Sequence, residues 1–277
     1  MLEDYKINII MLRNISKYSW FSFVPFMILG ILTIGLLLSS IIPLTYLIFT
    51  VLGWTLIAGL GVAVGYHRIF SHNTHPNIPL WKENIILFFG TLSGQGSSIT
   101  WTAIHRGYHH RYSDTDKDLH SPKHGVYHAF FGWATKITEN NSINLKYASN
   151  LLRKSNHIWF HSHQMKILWI VPIAIALIDW KLSLTLICLP TSIALLQDNL
   201  VNVFGHIKGV IGYRNFDTSD NSYNNIFFGY LGWGQGWHNN HHHEPKSFDF
   251  GKSISGKWWE WDPCNLFYYF LKNTGTH

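Results

Sequence analysis

Apolar residues run almost unbroken from about residue 20 to 38 and again from about 41 to 64, with only Ser39, Ser40 and nearby Pro43 between the two runs. A helix of about 20 apolar residues crosses the ~30 Å hydrocarbon core of a bilayer, and so short a break makes the pair a tight hairpin. A second pair follows: residues 167–178, a turn at Asp179-Trp180-Lys181, then 182 to about 196. The third run is short, so its helix has to borrow flanking residues or tilt. The pattern predicts four crossings, at about 20–40, 41–65, 165–180 and 181–203, and a polar, aromatic mass at about 66–164 and 204–277. The stretch "LFFGTLSGQGSSITW" is apolar but broken by Gly and Ser, so it reads as an interfacial or re-entrant piece and not a fifth crossing. "KWWEWD" (residues 257–262) reads equally as an interfacial aromatic anchor or as simple packing.

Composition agrees with a membrane protein that carries a sizeable polar part. Only 13% of the 277 residues are charged, against 47% hydrophobic, with 13 Trp, 13 Tyr and 18 Phe; ordinary soluble domains are roughly 25% charged. The net charge of +6 is no nucleic-acid signal once it is mapped. Of the 21 Lys and Arg, all but Lys181 fall on the side shared by the N-terminus, residues 65–166 and the region after about 205. The excess of positive charge in cytoplasmic segments assigns that side to the cytoplasm. The N-terminal "MLEDYKINIIMLRNISKYSW" has no A-x-A-like cleavage site, so no cleavable signal peptide is expected. Cys188 and Cys264 are too few for a disulfide scaffold or a Cys-ligated metal, and read as unpaired and structural. With no repeats and no Pro/Ser linker, residues 1–277 read as one domain: an all-α integral membrane protein, two hairpins of transmembrane helices beneath a cytoplasmic helical cap.

The chemistry lies in the placement of the 18 histidines. None sits in the centre of a predicted crossing. His67 and His72 ("GYHRIFSH") stand where the second crossing meets the cytoplasm, His105, His109 and His110 follow in "HRGYHH", His206 lies just past the fourth crossing in "NVFGH", and His238, His241 and His242 close the set in "GWHNNHH". At ~100° per residue, His238, His241 and His242 share one helix face, and so do Asn202 and His206. His67 and His72 at i, i+5 are ~140° apart on an ideal helix, as are His105 and His110, so each pair either serves two different metals or straddles a helix end. Nine histidines and an asparagine exceed the four ligands of one zinc and suit two metals; imidazole binds Zn, Cu, Fe and Ni alike, so ligand type does not choose between them. His75, His124, His128, His157, His161, His163 and His277 read instead as surface or satisfied polar groups, and His243 as an extra residue, exposed or behind the ligands.

These boxes resemble those of the membrane-bound fatty acid desaturases, specifically the stearoyl-CoA (Δ9 acyl-CoA) type and its bacterial relatives. The motifs "HRIFSH", "HRGYHH" and "HNNHH" occur in the family's order, and "NVFGH" resembles its N-x-x-x-H element; the likeness runs from about residue 45 to 262. It implies a histidine-rich non-haem di-iron site held by His67, His72, His105, His109, His110, His206, His238, His241, His242 and, through a water, Asn202. Two departures stand out: box two is H-x-x-x-H-H where the acyl-CoA enzymes have H-x-x-H-H, and Gln235 occupies a position that is acidic in many relatives.

The resemblance implies an O2-dependent oxidation that places a cis double bond in a saturated acyl chain, Δ9-type, carried on CoA, acyl carrier protein or lipid. Two Fe ions are the implied cofactor, with zinc as a substitute in purified samples and O2 as co-substrate. No separate acid–base residue is assigned, because oxidising an unactivated methylene needs a redox cofactor. With no dinucleotide fingerprint or haem domain in the chain, an external donor is implied: ferredoxin, rubredoxin, or cytochrome b5 with its reductase. The expected substrate tunnel is lined by residues 54–65 and by "LFFGTLSGQGSSITW". A bacterial inner membrane is the expected location, or the endoplasmic reticulum in a eukaryote. The rival outcomes of the same chemistry are hydroxylation, acetylenation and decarboxylation. A membrane metal transporter is the non-enzymatic rival, but it would need polar ligands along its crossings.

Overall fold

The first apolar run becomes α1 (Ile15–Leu38). Ser40 turns the chain with a φ of +60°, and a helix from Leu44 to Ser71, here α2, returns. In this computed structural model residues 15–75, 77–135, 143–208 and 211–272 are described; the expected absence of a signal peptide and the assignment of His277 concern residues outside them. The remaining principal helices are α3 (Leu80–Leu92), α4 (Ser98–Ile104), α5 (Ser155–Ala176), α6 (Trp180–Phe204), α7 (Ile226–Leu231) and α8 (His238–His243). No strands longer than isolated bridges occur among the described residues, so the fold is all-helical.

Among the described residues three helices are long and apolar enough to cross a membrane: Phe21–Leu38 of α1, α2 and α6. Large apolar side chains on α1 remain bare, Ile31 at 72% and Leu38 at 81% exposure, as expected of a surface that meets lipid. The predicted third crossing lies within α5, but that helix begins about ten residues earlier than its apolar run. Its first half carries His157, His161, Ser162, His163, Gln164 and Lys166, so the helix as a whole lacks an apolar stretch of membrane-spanning length. The hairpin tips are tied together: Asp179 caps α6 by accepting from the amides of Lys181 and Leu182, and Tyr46 Oη donates to its other oxygen at 2.8 Å.

Close packing fixes α2. A Cβ at Gly61 would stand 2.4 Å from the backbone nitrogen of Gly90 in α3, so this face is pressed against α3 and cannot line a tunnel. Within the first turns of α5, His157 and His161 are buried and satisfied. Ser98 Oγ donates to His157 Nδ1 at 2.8 Å, His157 Nε2 donates to Glu83 of α3 at 2.6 Å, and Lys154 joins the same carboxylate at 2.8 Å. Burial raises the Glu83 carboxyl, but these donors outweigh it and hold it down to about 2. Ser97 Oγ contacts His161 Nδ1 at 2.6 Å. These pairs lock α3, α4 and α5 into one unit beside α2.

The "KWWEWD" stretch divides its residues between two roles. Trp258 is 80% exposed, whereas Glu260 and Asp262 are fully buried. Asp262 pairs with the equally buried Arg68 at 2.8 Å, and Arg68 also donates to the carbonyls of Ala63 and Phe248. Asp262→Ala would strand a buried guanidinium, which typically costs about 3–5 kcal/mol. Thermal unfolding of the full chain in detergent should show that loss as a lowered midpoint. An unchanged midpoint would mean that the two carbonyls alone sustain the charge.

Candidate metal centre

The end of α2 departs from α-helical geometry in a way that shapes the site. From Thr55 to Ser71 the backbone is π-helical, and the His72 amide donates to the His67 carbonyl five residues back. An i→i+5 helix returns residue i+5 above residue i. His67 and His72 therefore meet, with ring centroids 5.1 Å apart, instead of diverging by the ~140° of an ideal α-helix. A second π-turn, His105–His109, does the same for His105 and His110, whose rings stand 4.6 Å apart. Neither pair straddles two sites, as the α-helical reading allowed. The extra residue in "HRGYHH" is absorbed by this turn.

Nine imidazoles converge in two adjoining groups: His67, His72, His105, His110 and His241 in the first, His109, His206, His238 and His242 in the second. Each consecutive pair, His109-His110 and His241-His242, splits between the groups, because neighbouring helical residues point ~100° apart. The ring nitrogens face one another: His67 Nε2 and His110 Nε2 each lie 2.9 Å from His241 Nε2, His72 Nε2 is 2.9 Å from His105 Nε2, and His206 Nε2 is 2.8 Å from His238 Nε2 and 3.3 Å from His109 Nε2. A single nitrogen with one lone pair or one proton does not satisfy two such neighbours. A metal–nitrogen bond of about 2.0–2.1 Å, at angles from octahedral to tetrahedral, sets neighbouring ligand nitrogens about 2.9–3.4 Å apart, which matches these spacings. Buried Nδ1 of His238 and of His241 and Nε2 of His242 have no partner.

Electrostatics keep the rings ready to ligate. Burial first, then the neighbouring imidazoles, pushes His105, His110, His238 and His241 well below the ordinary histidine range; burial, then Arg106, does so for His72. Burial brings His242 down to about 4 against the pull of Asp220. Neutral imidazoles offer lone pairs, which a metal requires.

Which nitrogen faces the site is set by what the other one holds. In the second group, His109 Nδ1 donates to Asp118 at 3.1 Å, His206 Nδ1 to Asp114 at 3.4 Å and His242 Nδ1 to Asp220 at 2.7 Å. In the first, His67 Nδ1 donates to Gln235 Oε1. Burial raises Asp118, yet His120 and His109 at its two oxygens hold it below the usual carboxylate range. The asparagines of "HNNHH" brace α8 from behind: Asn240 spans Asn215, Asn224, Phe250 and Glu260, and Asn239 Oδ1 accepts the amides of Asn215 and Phe216. His243 is exposed and stacks on Phe216 at 3.9 Å.

A cavity of about 730 Å³ opens onto both groups at His67, His105, His109 and His238, and Asn202 lines it with them. Its walls come from Phe21–Phe23 of α1, Gly94–Trp101, Phe131–Ala134, His161–Lys166 and Leu195–Asn202. The glycine-broken segment lines it as expected. Residues 54–65 do not, because the α2 face that carries Gly61 is packed on α3 and that of Gly59 on Trp233. Trp101 stacks on His105 at 4.7 Å and donates to Gln95 at 3.1 Å, fixing a flat apolar wall against the first group.

The carboxylates Asp114, Asp118 and Asp220, and His120 in the cavity wall, escaped the sequence reading. For Asp114 and Asp118 a signal existed in the Asp-rich "SDTDKD" that begins two residues past the second box. Loss of a residue that orients a ligand from behind typically weakens metal binding 10–100-fold. Asp220→Asn is expected to do so, and His243→Ala to leave metal retention unchanged, in elemental analysis of the full chain after graded chelator. Equal retention by both would remove Asp220 from this role.

A family model described as fatty acid desaturase matches residues 41–248. A probable chloroplastic lipid desaturase of Arabidopsis thaliana is 30% identical over 237 residues, 82% of this chain and 62% of its own length. An sn-1 stearoyl-lipid 9-desaturase of Anabaena variabilis is 28% identical over 74% of this chain and 72% of its own. A hex-5-enoyl-[acyl-carrier protein] acetylenase of Moorena producens is 28% identical over 76% and 69%. This chain thus spans less than two thirds of the plant relative.

Proposed function

The chain belongs to the fatty acid desaturase family, and we propose that it is an O2-dependent di-iron desaturase that introduces a cis double bond, Δ9-type, into a saturated acyl chain carried on a membrane lipid. The observation that carries this reading is the pair of adjoining imidazole groups opening onto one apolar cavity. Relatives whose names specify acyl-lipid substrates support a lipid-linked chain among the CoA, acyl carrier protein and lipid carriers that the motifs leave open.

His67, His72, His105, His110 and His241 would hold one iron, and His109, His206, His238 and His242, with Asn202 beside them, the other. Bound iron supplies the activation of O2 and the oxidising strength that side chains lack. The rest falls to the protein. Phe23, Trp101, Ile104, Phe131 and Leu195 take up the acyl chain and exclude water. Trp101, held on His105, limits how closely methylenes approach the first group. Asp114, Asp118 and Asp220 keep protons on the outward Nδ1 atoms, so that the Nε2 lone pairs point inward. The balance requires two electrons and two protons for each O2 reduced to two waters, alongside the two hydrogens taken from the chain. An external ferredoxin, rubredoxin or cytochrome b5 system supplies the electrons.

In the membrane the chain forms two hairpins, α1–α2 and α5–α6, with the polar half of α5 in the interface and the histidine centre on the cytoplasmic side. The distribution of Lys and Arg supports this orientation, and a bacterial inner membrane suits it.

The test is to express the full chain in a host of defined lipid profile, supply an electron donor, and analyse fatty acid esters and intact lipids by gas chromatography and mass spectrometry. A new cis-monounsaturated species in intact lipids is expected. Iron-loaded protein with no new unsaturation would end the desaturase reading. A triple bond or a hydroxyl product would redirect it to a sister reaction.

A further inference from the structure

One polar contact inside the cavity is left unused by ligation and by acyl binding. Asp198, on α6, lines the cavity wall. Its Oδ1 accepts from Gln235 Nε2 at 3.3 Å, its Oδ2 is shielded from solvent, and the side chains of Gln95 and Gln197 stand beside the same carboxylate. Gln235 in turn receives His67 Nδ1–H on Oε1, and His67 Nε2 stands 2.9 Å from His241 Nε2 within the first imidazole group.

We infer that Asp198 is a positioning residue for His67, acting through Gln235. A glutamine amide carries an acceptor at one end and donors at the other, and either fits the same space. A carboxylate accepts only, so Asp198 turns the Gln235 amino group toward itself and the carbonyl toward His67. That carbonyl accepts only as well. The His67 proton must then sit on Nδ1, and its Nε2 lone pair faces the other imidazoles. In the second group each of three histidines gains its orientation from a carboxylate directly; in the first, the carboxylate sits one residue further out and a neutral amide stands between. The strut joins α6 to α2 across the turn before α8, where Trp233 and Gly234 adopt φ of +52° and +77° and present Gln235.

This inference rests on the two-metal reading, and its test separates the two. The full chain, stripped of metal in detergent, is titrated with Co²⁺, whose visible absorption reports coordination. Five forms are compared: wild type, Asp198→Leu, Asp198→Asn, Gln235→Glu, and the double variant Asp198→Asn with Gln235→Glu. Asp198→Leu is expected to weaken the affected binding step about tenfold, the lower end of the effect of losing a residue behind a ligand. Asp198→Asn should weaken it less, because its amide accepts in one orientation only. Gln235→Glu sets two carboxylates together and should also weaken binding. In the double variant the new carboxylate at position 235 accepts from His67 and from the new amide at position 198. Binding should then return to within about threefold of wild type, below the 10–100-fold loss of a missing partner. A merely structural role for Asp198 would not yield that rescue. Asp198→Leu within threefold of wild type, or a double variant no tighter than Gln235→Glu alone, overturns the inference. If Asp198→Leu does not fold, the comparison of Gln235→Glu with the double variant decides. Wild type that binds no Co²⁺ overturns the two-metal reading, and this inference with it.

Discussion

His241→Ala is expected to abolish desaturation and to lower bound iron from two per chain to one. His241 is the hub of the first group: its Nε2 is 2.9 Å from both His67 and His110, and its ring lies 4.1 Å from Phe250. Removing it takes away one of the proposed ligands and leaves the two facing nitrogens without their common neighbour. The loss should exceed the 10–100-fold that follows removal of a residue behind a ligand. His243→Ala, two positions along on the exposed side of the same short helix, is the control and should retain activity and both irons. Product analysis and iron content read the two variants together. Full activity in His241→Ala would mean that the "HNNHH" box is not part of the reacting centre.

Stripping the metal should abolish activity completely, and restoration should discriminate between metals. Zn²⁺ has no redox chemistry, yet imidazole binds it as readily as iron. The nitrogen spacings of 2.8–3.3 Å suit either ion. Zn²⁺ should therefore fill the stripped protein and restore its thermal stability without restoring turnover, whereas Fe²⁺ should restore both. Activity in the zinc-filled protein would place the chemistry outside redox catalysis and overturn the desaturase reading.

Much of the architecture was legible because the bilayer imposes simple demands. Runs of apolar residues located α1, α2 and α6, and the polar breaks at Ser39-Ser40 and Asp179 located both hairpin tips. The start of α5 was not legible. His157 and His161 read as surface or satisfied polar groups, and only the fold decides for the second: they are buried, with Glu83, Ser97 and Ser98 satisfying them from distant segments. The histidine boxes stood out by type and order, whereas their division into two groups did not. That division depends on π-helical geometry at His67–His72 and His105–His110, which ideal α-helical spacing inverts. The orienting carboxylates were hidden for a related reason: Asp114 lies 92 positions from His206, and Asp220 lies 22 from His242. Pairings of that kind arise from tertiary packing and leave no local period.

On this reading nine imidazoles in two groups hold two irons for one reaction. An anaerobic titration of the stripped full chain with Fe²⁺, reading bound iron and desaturase turnover in the same samples, tests it. Binding should saturate at two equivalents per chain, with turnover appearing only as the second is taken up. Saturation at one equivalent, or full turnover with one iron bound, would contradict it.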